Sequence, residues 1–282
     1  MPETKRGAGV TNLLIATPAY GQVFYSPYVE SVIKLTHVIH RNRWGFAFRS
    51  ITYAEISESR NYLLTHWIDK TDASHVLFID ADMGFEPQLI ADMIAFDKPV
   101  VGVAYPKRKI DLHRVATLAA AGEPSDRAIT KAHEFVLRPL RRGASPKVVN
   151  GFMEVEGCGA GILLIQRSCV ETMLRRIPGL SDEKAKKTSP ITKDLDRLIR
   201  AFDILNVGGH RLSEDYSFCH RWRNLCQGEV WVSVGHAITH IGLQEFKSRY
   251  ADRLAVGPQD SVAPGQTIAG QLRAKAVPIA KK

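Results

Sequence analysis

The chain has 282 residues, 45% of them hydrophobic and 24% charged, enough apolar content for a sizeable core in one large domain or two small ones. Its formal net charge of +9 is compatible with an anionic substrate, an anionic membrane surface or nucleic acid as partner. No apolar run reaches the ~18 residues that would mark a membrane span, and the N-terminus MPETKRGAGV has no apolar signal core behind its basic residues, so a cytoplasmic chain is expected.

The four cysteines, Cys158, Cys169, Cys219 and Cys226, show no CxxC spacing, which argues against zinc and for reduced, structural thiols. Much of the basic excess lies in three clusters, Lys107–Lys109, Arg138–Arg142 and Lys184–Lys187, which read first as solvated faces.

The first hundred residues alternate strand and helix. NLLIAT at Asn12–Thr17 is a short apolar run stopped by Pro18, as in a buried parallel strand. Pro27–His40 has helical spacing, Gly45–Ile51 reads as a second strand, and Glu55–Ile68 as a second helix with Leu63, Leu64 and Trp67 inward. Val76–Ile79 is the third strand, Pro87 opens a helix at its favoured first position, and Lys98–Ala104 is a fourth strand ended by Tyr105-Pro106. Repeated β-α-β units predict a parallel sheet covered by helices, with ligands at the carboxyl ends of the strands. Ile110–Pro146, rich in alanine and arginine, reads as a helical excursion or lid. Strand character returns over Lys147–Gln166 around the turn Gly157-Cys158-Gly159-Ala160-Gly161, whose glycines permit either a tight hairpin or close backbone approach to a ligand. Helices are expected over Ser168–Arg176, Thr192–Phe202 and Glu214–Leu225, and a strand over Val230–Val234. From Asp252 the apolar period is lost, as in a loosely ordered tail.

The stretch HVLFIDADMGFEP at His75–Pro87 carries four apolar residues straight into Asp80 and Asp82. Two carboxylates that close repel each other unless a positive charge lies between them. Either a hard divalent cation such as Mg²⁺ or Mn²⁺ does this, sharing its coordination with substrate phosphates and water, or Asp80 caps the turn and Asp82 is solvated.

Four segments in order decide how this pair is read: IATPAYGQ at Ile15–Gln22, ESRNYLL at Glu58–Leu64, VLFIDADMGFEP at Val76–Pro87, and LSEDYSFCHR at Leu212–Arg221. Together they resemble the Pro-Ala-Tyr nucleotide loop, Ala-Arg-Asn helix start, Asp-x-Asp pair and Glu-Asp helix of the GT-A glycosyltransferases of family 2. The resemblance covers residues 12–106 well and 147–242 in outline. It implies a single α/β domain of GT-A (Rossmann-like) architecture over residues 1–251, with a mostly parallel central sheet flanked by helices. Residues 12–106 would be the nucleotide-binding half, 107–146 the helical excursion, 147–251 the acceptor-side half and 252–282 the tail.

The same resemblance implies a glycosyltransferase that moves a sugar from a nucleotide sugar, a UDP-sugar by family habit, to a hydroxyl of a saccharide or other acceptor. Asp82 and His240 (in VGHAITHIG at Val234–Gly242, with His236 the nearby rival) would hold Mn²⁺ or Mg²⁺ directly, and Asp80 would contact the ribose or the metal through water. Thr17, Pro18 and Tyr20 would form the nucleotide loop, with Tyr20 stacking on the base. Arg60 would meet a phosphate or the base edge through its planar fork, and Gly159 would let backbone approach the donor. Asp215, beside Glu214 at a helix start, would be the general base, kept ionised by the helix dipole. The rival reading makes Ser213 a helix cap and both acids ordinary first-turn residues. The second strand departs from the family pattern: it runs FAFRSITYAE where paired aspartates that contact uracil are usual, so base recognition would fall to Tyr53, Glu55 or backbone. Two other functions stay open at this point. One is a sugar nucleotidyltransferase, disfavoured because TPAYGQVFY is not a glycine-rich triphosphate loop. The other is a basic nucleic-acid-associated protein, including an enzyme that glycosylates bases in DNA.

Overall fold

The computed structural model describes residues 11–140, 147–185 and 191–243; the expected tail lies outside these residues. Apolar runs broken by turn residues produce the first half as expected. Strand β1 (Asn12–Pro18) is buried from Leu13 onward. Helix α1 (Ser26–Arg41) starts with Pro27 in its first turn and turns Tyr28, Leu35 and Ile39 inward. Strand β2 (Gly45–Ile51) is followed by α2 (Ile56–Lys70), then β3 (His75–Ile79), the short β4 (Met83–Phe85), α3 (Gln88–Ala95) and β5 (Val100–Val103).

The expected helical excursion is only partly helical. It contains α4 (Leu112–Ala120) and α5 (Ser125–Ala132), bracketed by β6 (Pro106–Ile110) and β7 (His133–Phe135), which pair antiparallel, and it ends in β8 (Leu137–Pro139), which joins the main sheet. The second half holds β9 (Val148–Val149), β10 (Phe152–Cys158), β11 (Ile162–Gln166) and α6 (Arg167–Arg176). Two small ribbons follow, β12 (Ser181–Asp182) with β13 (Leu198–Ile199), and β14 (Asn206–Val207) with β15 (His210–Arg211). Helix α7 (Glu214–His220) runs on into a π turn over Arg221–Leu225, before β16 (Val230–Ser233) and β17 (Ile238–His240).

The nine-stranded sheet has the order β2-β1-β3-β11-β5-β16-β10-β8, with β9 also on β10. Strands β2, β1, β3, β5 and β16 point one way, as do β8 and β9, while β11 and β10 run against them. A mixed α/β sheet with a common direction for most strands is thus observed. One apolar cluster packs α1 and α3 against one face through Leu35, Leu77 and Met93. The other packs α2, α6 and α7 against the opposite face through Trp67, Phe78, Met173 and Phe218. Strands β1, β3 and β5 therefore end together, beside the start of the reversed β11.

The helix expected over Thr192–Phe202 is absent. Its apolar residues are buried as their spacing requires, with Leu195, Leu198, Ile199 and Phe202 all inaccessible. Their backbone N–H groups, however, have other partners: Ile199 N donates to Thr65 Oγ1 at 2.8 Å, Phe202 N to Asn61 Oδ1 at 2.8 Å and Arg200 N to the Leu180 carbonyl at 2.8 Å. These bonds satisfy the groups that an i→i−4 ladder would have used.

Candidate active site

Strand β3 runs out at Ile79, and Asp80 begins a tight turn in which Met83 N donates to the Asp80 carbonyl at 3.0 Å while Asp80 N donates to Gly161 O at 2.8 Å. The turn hands the chain to β4, which pairs antiparallel with β17 so that Met83 faces His240. Ile241 N also donates to the Asp82 carbonyl at 2.9 Å. This register brings His240 Nε2 within 3.6 Å of Asp82 Oδ2. His240 Nδ1 donates its proton to the Pro106 carbonyl at 2.7 Å, which leaves Nε2 with a lone pair when the ring is neutral. Burial lowers the His240 pKa, but the nearby Asp82 carboxylate and the hydrogen bond to Pro106 outweigh it, and the net shift is upward. Arg108, on β6, donates to Asp82 Oδ2 at 3.0 Å from the exposed side.

The rival histidine has a different environment. His236 Nδ1 bonds Ser233 Oγ at 2.8 Å and its Nε2 lies 3.1 Å from Asp92 Oδ2 on α3. It is partnered away from Asp82.

Asp80 belongs to a second cluster, centred on Arg60. The Arg60 Nη2 donates to both Asp80 oxygens at 3.0 Å, its Nε lies 3.4 Å from Glu214 Oε1, and its Nη1 donates to the Ala160 carbonyl at 3.3 Å. Burial opposes the guanidinium charge, yet Asp80 and Glu214 overcome it and raise the Arg60 pKa. The side chain is 3% exposed and all three nitrogens are engaged by protein partners: where a phosphate or base contact was expected of Arg60, it ties α2, the β3 turn and the start of α7 together. Burial raises the Asp80 carboxyl pKa, against the opposing pull of Arg60.

Other expected contacts also have protein partners. Thr17 is inaccessible and shares a 2.6 Å hydrogen bond with the Tyr28 hydroxyl, whose pKa burial pushes up to about 12. Glu55 caps α2, accepting from Ser57 N at 3.2 Å and from Glu58 N, so its carboxylate is committed to the helix start. Gly159 serves packing: a Cβ there would come 2.0 Å from the Tyr105 hydroxyl, which is the space its missing side chain provides. Pro18 closes β1 in buried surroundings, and Tyr20, in the 3-10 turn Tyr20–Gln22, is 74% exposed and free to stack.

At the start of α7, Ser213 makes no side-chain cap. Its hydroxyl donates to Asp215 Oδ1, which also accepts from Tyr216 N at 2.7 Å. Glu214 faces Arg60 and its neighbour Asp215 is half-buried.

Two site residues were missed in the sequence. Tyr105 is 6% exposed, lies over Gly159 and Gly161, and meets the His240 ring edge-on at 5.2 Å between centroids. Arg108 reaches Asp82. The signal for Tyr105 was its place just beyond the end of β5, level with Asp80 beyond β3; Arg108 was hidden in a basic cluster.

Among the described residues, no group of three or more His, Cys, Asp and Glu side chains is placed to hold a metal ion. The donor set that is present, one carboxylate and one imidazole side by side, fits Mn²⁺ that completes its shell with diphosphate oxygens and water. The acids and Arg60 otherwise form a preorganised charged rim at the strand ends.

No protein-family model matches the chain, and no curated protein does. Among solved structures, it is similar to a Drosophila beta-1,4-galactosyltransferase 7 mutant in complex with manganese, UDP-Gal and xylobiose, at 12% identity and a TM-score of 0.41, covering 96% of this chain and 82% of that one. It is also similar to GalNAc-T7 with UDP, GalNAc and Mn²⁺, at 11% identity and a TM-score of 0.44, covering 94% of this chain and 48% of that one. A third similarity is to a putative glucose-1-phosphate thymidylyltransferase from Bacillus anthracis, at 12% identity and a TM-score of 0.32, covering 66% of this chain and 80% of that one.

Proposed function

We propose that this chain is a metal-dependent glycosyltransferase of GT-A type that moves a sugar from a nucleotide sugar, a UDP-sugar as the first candidate, to an acceptor hydroxyl. The observation that carries the reading is the pairing of Asp82 with His240 at the strand ends, with the His240 Nδ1 proton committed to Pro106. Asp82 and His240 Nε2 would hold the metal, and Arg108 would give up its bond to Asp82 as the cation enters. When bound, the metal supplies Lewis-acid stabilisation of the diphosphate that leaves.

The chain's own residues supply the rest. Tyr20, exposed on the loop after β1, offers a ring for the base. Arg60 locks Asp80 in place, so that its carboxylate would be oriented in advance for a ribose hydroxyl or, through water, for the metal. Tyr105 packs edge-on against the His240 ring and steadies it beside Asp82. Asp215 takes the proton of the acceptor hydroxyl as its oxygen bonds to the anomeric carbon and the bond to the diphosphate breaks; the Tyr216 amide and the Ser213 hydroxyl hold its Oδ1 in place.

The reading is tested by a hydrolysis screen over nucleotide sugars with and without Mn²⁺. Release of UDP from one or a few donors, dependent on Mn²⁺, is expected. Release of pyrophosphate from a nucleoside triphosphate and a sugar phosphate, with no donor hydrolysed, would instead identify a nucleotidyltransferase.

A further inference from the structure

A cleft of about 540 Å³ opens on the side of α7 away from Arg60, a volume within the ~300–1,000 Å³ range of small-molecule sites. It is built from four elements, one of them β10, which carries Glu156. Strand β8 contributes Arg138, the β14–β15 hairpin contributes His210 and Arg211, and α7 with its π turn contributes Tyr216 and His220. The Tyr216 ring lies flat on the backbone of Gly157, where a Cβ would come 2.9 Å from Cδ1, and the Arg138 guanidinium covers the ring at 4.3 Å. Arg138 is thus held by a cation–π contact rather than by a carboxylate. Among the described residues, neither Arg138 nor Arg211 forms a salt bridge (within 4.0 Å), and both are exposed, so their donors are available to an incoming anion. Asn224 Nδ2 lies 3.0 Å from His220 Nδ1 and donates to it, which places the ring proton on Nε2 as a further donor.

One acid, Glu156, lines the same cleft. A phosphodiester backbone or other polyanion filling the cleft would be repelled by it. A ligand with one phosphate and several hydroxyls would use the polar walls: the arginines for the phosphate and Glu156 as acceptor for hydroxyls. The cleft is tied to the proposed base through consecutive residues of α7, although Asp215 does not itself line it. Glu214 reaches Arg60, Tyr216 lines the cleft, and Asp215 lies between them, its Oδ1 accepting from Tyr216 N at 2.7 Å.

From this arrangement we infer that the cleft beside Tyr216 is the acceptor subsite and that it takes a phosphorylated sugar, its phosphate gripped by Arg138 and Arg211 and a hydroxyl directed toward Asp215. The assignment of the cleft to an acceptor rests on the glycosyltransferase reading; the preference for a sugar phosphate rests on the cleft alone.

Calorimetry on the full chain at low salt tests it with glucose 6-phosphate, glucose and inorganic phosphate as probes, on wild type and on the double variant Arg138→Gln/Arg211→Gln. Both positions are exposed, so melting temperatures should match. Glucose 6-phosphate should bind at least ~10-fold more tightly than glucose, and the double variant should lose that margin, as expected when charge-assisted hydrogen bonds are removed. Inorganic phosphate should compete with the sugar phosphate. Equal affinity for glucose and glucose 6-phosphate, or an unchanged margin in the double variant, overturns the inference. Tighter binding of a single-stranded oligo-dT through the same arginines overturns it in favour of nucleic acid. UDP binding with Mn²⁺, measured on the same samples, should be unaffected by the double substitution; its failure in wild type would remove the glycosyltransferase reading while leaving the phosphate result standing.

Discussion

His240 Nε2 stands 3.6 Å from Asp82 Oδ2, and the antiparallel pairing of β17 with β4 holds it there. Two donors far apart in sequence meet because Met83 faces His240 in that register, while the Pro106 carbonyl fixes which imidazole nitrogen keeps its lone pair. His240→Ala should therefore weaken Mn²⁺ binding by ~100-fold, the upper range reported even for outer partners of a metal ligand. His236→Ala, tied to Ser233 and Asp92, should leave it unchanged. Manganese titration followed by electron paramagnetic resonance compares them, and the reverse ranking would make His236 the ligand.

Metal affinity should also depend on pH with a definite sign. Burial lowers the His240 pKa, but Asp82 and Pro106 raise it further, so the folded ring is protonated above its ordinary range. Because a ligand imidazole must be neutral, affinity is full above that raised pKa and falls as pH drops through it, by ~10-fold per unit at the limit. The same titration in His240→Ala should be flatter. Identical curves for the two proteins would detach His240 from the metal.

Arg60 is a stability determinant before it is anything else. Arg60→Met leaves Asp80 and Glu214 facing each other without their shared cation, a change of the kind that costs ~3–5 kcal/mol when a buried pair is broken. Urea unfolding should show the loss. A change below ~1 kcal/mol would mean that the cluster is more hydrated than its 3% exposed guanidinium implies.

Asp215→Asn separates chemistry from binding. The amide oxygen can still accept from Tyr216 N and Ser213, so folding and UDP affinity should stay near wild type. Transfer should fall by ~10²–10⁴-fold, the usual contribution of a positioned acid or base. Transfer at the wild-type rate, with the acceptor supplied, would reduce Asp215 to a first-turn helix acid.

The sequence made the sheet legible where apolar runs end in turn residues: β1 stops at Pro18 and β3 at Asp80, and both lie where the alternation placed them. It also favoured His240 over His236, and the two histidines do have different partners. What stayed hidden depends on contacts distant in sequence. Nothing near Arg60 announces that Glu214 and Ala160 will occupy its nitrogens, and nothing near Leu198 announces that Asn61 and Thr65 will take the N–H groups of a would-be helix. Glycines carry the same ambiguity. Gly159 reads as a place for a ligand to approach, but the neighbour that needs the room is Tyr105, contributed by another strand end.

The central claim is that Asp82 is the protein's carboxylate ligand for a metal that carries the donor diphosphate. Isothermal calorimetry of UDP binding, with and without Mn²⁺, on wild type and Asp82→Asn tests it most directly. Wild type should bind UDP only when Mn²⁺ is present, and Asp82→Asn should lose that metal-dependent binding while keeping its melting temperature within a few degrees. Equal Mn²⁺-dependent affinity for UDP in the two proteins would contradict the account.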